Sequence, residues 1–131
     1  MNTEIFEPKK SNQLLVNFPP DIHIPNYLIK SVENIKWDVF IGRWSSVILK
    51  FYSPVSPSLD QIIFTDIIEK KIAGISNMDI IDIAPSGDII SIKSLIDCMI
   101  DSIDFGVRDW SIDTPSLITM VVQPQTVIFK K

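Results

Sequence analysis

Residues 92–106 read IKSLIDCMIDSIDFG, and the structure assigned to this stretch decides the fold class. Its apolar residues are spaced three, one, three, one and three apart, and they are Ile92, Leu95, Ile96, Met99, Ile100 and Ile103. That spacing forms a single apolar stripe on a helix. Ser94 with Asp97 three residues later resembles a capping box, and Gly106 supplies a stop. The stretch is predicted to be an amphipathic helix.

Two further helices are predicted upstream. Ser58 is a suitable N-cap for a helix that runs to about Ala73, and Gly74 follows as its stop. Pro25 suits the first turn of a shorter helix over residues 26–33, because proline is tolerated at that position.

Alternating apolar residues separated by turn residues predict strands and hairpins. The predicted hairpins pair residues 35–41 with 44–52, 78–84 with 88–92, and 117–122 with 126–129. Further strands are predicted at 14–18 and 107–112. The chain contains 25 isoleucines and two alanines, which favours strands because β-branched side chains pack well on a pleated surface. Residues 1–131 are therefore predicted to form a single α+β domain, a mostly antiparallel sheet built from hairpins with two or three helices.

Composition excludes several classes of function. A pI near 4.8 argues against a general nucleic-acid binder, whose affinity needs basic side chains. Apolar runs never exceed three residues, so no membrane-spanning helix is expected, and the N-terminus lacks the pattern of a signal peptide. A single cysteine, Cys98, leaves no internal disulfide. We expect a cytoplasmic protein that binds neither nucleic acid nor membrane.

The sequence offers little catalytic chemistry. His23 is the lone histidine, and the nucleophile elbow of a serine hydrolase is absent. Cys98 lies near Asp97 and Asp101, which oppose formation of a thiolate, so an inert side chain is expected. Together one cysteine and one histidine cannot supply a usual zinc site. No catalytic residue, metal or cofactor is predicted, and the chain is not expected to be an enzyme.

The distribution of charge is more informative than its total of −4. Between residues 72 and 129 there are eight aspartates, opposed by Lys93 and Arg108 alone, so this segment carries −6. On the predicted helix, three of these aspartates share one face. The predicted partner-binding residues are these three and the group that follows them: Asp97, Asp101, Asp104, Asp109, Trp110 and Asp113.

This acidic face predicts a small module that binds a basic protein, because complementary charge speeds and selects association. An immunity or antitoxin protein that neutralises a nuclease toxin is the most concrete form. A secretion chaperone, or a structural component of a larger assembly, is the alternative, and a homodimer remains open because mean hydropathy is +0.24. An enzyme whose carboxylates alone hold a metal, with Asp79, Asp82 and Asp88 or the helix face as ligands, is the alternative of another class.

Overall fold

The computed structural model describes residues 13–53, 58–106 and 117–130. In these ranges the chain forms nine strands and one short helical segment. The strands are β1 (Gln13–Asn17), β2 (Ile29–Glu33), β3 (Trp37–Asp38), β4 (Arg43–Trp44), β5 (Val47–Tyr52), β6 (Gly74–Ile83), β7 (Ile89–Asp104), β8 (Leu117–Gln123) and β9 (Thr126–Phe129). The helical segment is α1 (Leu59–Ile63), continued by a π-helical turn (Phe64–Ile68).

Seven strands form one antiparallel sheet in the order β1-β6-β7-β8-β5-β2, with β9 also paired to β7. The strands β3 and β4 form a separate two-stranded hairpin. The core lies on one face of the large sheet, where cross-strand partners such as Leu49 and Met120 are fully buried. The ends of the sheet approach each other, and the Val16 N–H donates to the Asn26 carbonyl, just before β2, at 3.1 Å.

The stretch predicted to be an amphipathic helix is instead most of β7, the longest strand. Two irregularities in β7 produce its helix-like spacing. Asp97 adopts a left-handed conformation (φ 51°), so that Leu95 and Cys98, three residues apart, are both buried. A bulge between Ile100 and Ser102 then lets Ile100 and Ile103 both pack on the core. The bulge adds one residue and so turns a period of two into a step of three. At Asp97 no residue is added, because the register of β7 with β6 is unbroken there.

The other two predicted helices also differ from the structure. Residues 29–33 pair with β5 as a strand, because Ile29 and Val32 pack beside the core residues Phe51 and Leu49. The Ser58 hydroxyl caps α1 as expected by accepting a hydrogen bond from the Gln61 N–H. However, α1 ends at Ile63, and after the π-helical turn the chain leaves the helix at Lys71, in a left-handed conformation, rather than at Gly74.

The predicted α+β class with two or three helices is therefore wrong. Among the described residues the protein is a mostly antiparallel sheet with one short helical segment. The predicted strand at 107–112 lies outside the described residues.

The three predicted hairpins have different outcomes. The pairing of β6 with β7 across residues 84–88 is confirmed, and Gly87 supplies the positive φ of the turn. Residues 37–44 form a short hairpin, but β5 pairs with β2 and β8 instead of continuing it. The strands β8 and β9 both exist, yet each pairs with β7, so they follow one another along it with a break at Pro124-Gln125.

Candidate functional site

The described members of the predicted acidic group are spread along β7 and do not form the helix face that was expected. Asp97, Asp101 and Asp104 lie along a strand, where seven residues span about 23 Å rather than the roughly 10 Å of a helix. Two of them have local structural partners. Asp101 accepts a hydrogen bond from the Ser46 hydroxyl at 3.0 Å, and Asp104 accepts one from the Gly106 N–H at 2.8 Å. The other predicted partner-binding residues, Asp109, Trp110 and Asp113, lie outside the described residues.

The aspartates considered as metal ligands also contact neighbouring strand residues. Asp79 accepts a hydrogen bond from the buried Ser94 hydroxyl. Asp82 accepts one from Ser91 at 2.8 Å and lies 3.9 Å from the Lys93 ammonium. Over the part of the chain that the structure describes, no group of three acidic, histidine or cysteine side chains is placed to hold a metal ion.

Cys98 is a buried residue of β7 and follows Asp97 directly in the chain. Burial raises the pKa of its thiol to about 11, and the negative charge of Asp97 adds to the effect. At neutral pH the thiol is protonated, and a protonated thiol is a poor nucleophile or metal ligand.

His23 and Asp66 lie far apart in the sequence but contact each other in the fold, and the Asp66 side chain is buried. Among the described residues, no other ion pair between distant residues has a buried member. The Asp66 carboxylate accepts the His23 backbone N–H at 2.8 Å and lies 3.0 Å from the His23 Nδ1. The Asp66 side chain is 8% exposed and the His23 side chain 71%. These bonds hold the pKa of Asp66 below its ordinary value, the backbone bond contributing most. The pair joins residues 43 positions apart in the chain, so its geometry indicates structural support.

The most exposed large apolar side chains of the described residues lie at the tip of the β3–β4 hairpin. Phe40 is 98% exposed, Val39 83% and Ile41 61%. The tip is well ordered by its own hydrogen bonds, since the Asp38 carboxylate accepts the backbone N–H groups of both Phe40 and Ile41 at 3.1 Å. The hairpin therefore holds three apolar side chains in water in a defined conformation.

The base of the hairpin is fixed to the large sheet by aromatic contacts. Trp37 packs edge-on against Trp44, with ring centroids 5.4 Å apart, and Trp44 stacks on Phe129 of β9 at 6.2 Å. The Gln123 side-chain amide donates to the Trp44 carbonyl at 2.7 Å. Because the base is fixed, the tip is presented as a rigid projection rather than as a loose loop.

Sequence reasoning missed this site. It assigned residues 35–41 to a strand, because Ile35, Trp37, Val39 and Ile41 alternate with the residues between them. The signal available in the sequence was the uninterrupted Val39-Phe40-Ile41 run directly before Gly42. In the structure, Gly42 has a positive φ (78°) and lies in the turn. Three large apolar residues at a turn are unusual, because turns lie at the surface.

No helix among the described residues is both long and apolar enough to cross a bilayer. No protein-family model matches the sequence, and neither does any curated protein.

Solved structures share the fold at low sequence identity. A chain of the sheath/tube terminator of an extracellular contractile injection system, PVC, superposes with a TM-score of 0.66 and 10% identity, covering 91% of this chain and 94% of that one. A chain of the anti-feeding prophage baseplate gives 0.61 and 14%, with coverage of 92% and 93%. Hcp1 from Salmonella typhimurium gives 0.56 and 11%, with coverage of 91% and 92%. These neighbours come from a sheath/tube terminator, a baseplate and an Hcp protein, and none is an immunity protein or antitoxin, so the comparison contradicts the immunity interpretation.

Proposed function

We propose that this chain is a structural subunit of an assembly of the contractile injection or type six secretion kind, acting by association and not by catalysis. The proposal rests on the exposed apolar tip Val39-Phe40-Ile41, carried on a fold that is similar to chains from a sheath/tube terminator, a baseplate and an Hcp protein. It develops the structural-component alternative and replaces a basic toxin as the partner.

The tip has the physical properties of an assembly contact. Full burial of a large apolar side chain contributes about 1.5–3 kcal/mol, and the three tip side chains are between 61% and 98% exposed here. The hairpin is ordered in the single chain, so little conformational entropy is lost when a neighbour covers it. We assign the neighbour to a further copy of this chain.

The shape of the tip favours a particular kind of contact. A projecting hairpin is not complementary to itself, so it needs a different surface on the neighbouring copy. Contacts of this head-to-tail type generate closed rings or open filaments rather than simple dimers.

Replacement of Phe40 by aspartate tests the proposal. Phe40→Asp places a charge where an apolar side chain must be desolvated, so we expect self-association to weaken at least about tenfold. Ile90→Asp is the matched control, because Ile90 is an exposed apolar residue (47%) near the turn of the β6–β7 hairpin. Sedimentation velocity over a concentration series gives the association constants.

The comparison has a clear contrary result. If the wild-type chain stays monomeric throughout the series, or if Phe40→Asp and Ile90→Asp associate as tightly as the wild type, the hairpin tip is not the assembly contact. Circular dichroism spectra of all three proteins confirm that the substitutions leave the sheet intact.

A further inference from the structure

Residues 18–28, here called the strap, connect the two end strands of the sheet, β1 and β2. The outer edges of these strands have no strand partner among the described residues. The strap bonds to β1 through Val16 and Asn26, and its Leu28 carbonyl accepts the Tyr52 N–H at 2.8 Å. Ile22, Ile24 and Leu28 of the strap are buried in the core, and Phe18 packs against it.

A buried side chain of the helical segment, Asp66, makes hydrogen bonds to the strap. Asp66 lies in the π-helical turn and accepts both the backbone N–H and the ring nitrogen of His23. Aspartate is rarely buried unless its charge is compensated, and here both compensating donors come from a segment 43 residues away. The π-helical turn is a rare conformation that is frequent at functional positions.

We propose that Asp66 is an acid-sensitive latch that fastens the middle of the strap to the helical segment. In its ionised form Asp66 binds the strap through His23. Protonation of the carboxylate weakens its attraction for both donors, so the strap loosens around His23 while its buried apolar side chains stay in the core.

The charged groups around the latch fix the direction of its pH dependence. His23 contacts Asp66, and Lys70 on the same helical segment adds a favourable charge. Asp60 is engaged by Ser53, while Asp21 on the strap and Glu69 beside Lys70 are exposed. Because the pKa of Asp66 is lowered on folding from its ordinary 3.8, the latch is complete above that value. It is lost as the pH falls through the folded pKa.

Loosening of the strap has a consequence for the sheet. Unpaired strand edges present N–H and C=O groups that can pair with another chain, and natural sheets cover such edges. The Val16 N–H of β1 bonds to the strap, so a loosened strap makes this part of the β1 edge more accessible. This role is independent of the hairpin tip, which lies at a different place in the fold.

Amide hydrogen exchange measured by NMR tests the latch. The informative amides are those of Val16, His23 and Leu28, with the β6–β7 ladder as internal reference. Asp66→Asn keeps the shape and removes the charge, so exchange at the strap amides should rise about 10- to 100-fold, the range for losing a hydrogen bond to a charged group. Asp21→Asn, which removes an exposed charge from the same segment, should leave exchange unchanged.

A pH series on the wild-type chain separates a latch from a merely stabilising residue. After correction for intrinsic exchange, the ratio of strap to ladder exchange should rise as the pH falls below about 3.8, the unfolded value. The same ratio in Asp66→Asn should be high and independent of pH. Equal acceleration of strap and ladder amides, or a ratio that does not change with pH in the wild type, would overturn the proposal. The wild-type series stands by itself should Asp66→Asn fail to fold.

Discussion

At the scale of single residues, the reactive groups of this chain are used for structure. Ser94 is fully buried on β7 and donates to Asp79 across the strands. Cys98 is buried beside the core. Each of these groups loses its water and gains a fixed packing or hydrogen-bonding role, which lowers its availability for chemistry.

The Cys98 thiol gives a direct measure of this effect. Its pKa of about 11 lies two units above the ordinary 9.0, so the thiolate population at pH 8 is about 100-fold smaller than for an exposed cysteine. We expect Ellman's reagent to react with the native protein at least about 100-fold more slowly than with the protein unfolded in urea. Equal rates in the two states would show that the thiol is accessible and ionisable in the native fold.

At the scale of elements, β7 shows how far sequence reasoning reaches. Strands with plain alternation and turn residues, such as the β6–β7 hairpin, were predictable from the sequence. The helix-like spacing of β7 was misleading, because the left-handed conformation of Asp97 and the bulge after Ile100 each interrupt the period of two. The spacing of apolar residues along the sequence cannot show such a bulge. The bulge arises because β7 pairs with β6, β8 and β9 at the same time.

The left-handed conformation of Asp97 leads to a prediction about this strand. A φ of 51° costs a residue with a Cβ about 1–2 kcal/mol, and aspartate tolerates it better than alanine does. We therefore expect Asp97→Ala to unfold with about 1 kcal/mol less stability than Asp97→Gly, after the greater entropy of unfolded glycine is taken into account. Urea denaturation of the two variants measures the difference. Equal stabilities would mean that the turn in β7 does not depend on this conformation.

At the scale of the whole molecule, an acidic chain presents an apolar contact. The net charge is −4, and the hairpin segment 36–43 contributes Lys36 and Arg43 against Asp38. Copies of the chain thus repel one another weakly through their total charge, while the proposed contact at Val39-Phe40-Ile41 is hydrophobic. The described aspartates of β7, which are Asp97, Asp101 and Asp104, are exposed and spread along the strand, so each adds negative charge to the surface.

Because charge repels the copies and the apolar contact attracts them, the effect of salt on self-association distinguishes the two kinds of contact. Raising NaCl from about 50 mM to about 500 mM shortens the screening length from roughly 14 Å to roughly 4 Å, which removes repulsion between copies and leaves apolar burial intact. Self-association of the wild-type chain should therefore strengthen with salt, whereas binding through an acidic face to a basic partner would weaken. Sedimentation velocity at fixed protein concentration follows the change, and Phe40→Asp should remain weak at both salt concentrations. If association of the wild type falls as salt rises, attraction between opposite charges drives it, and the hairpin tip is not the dominant contact.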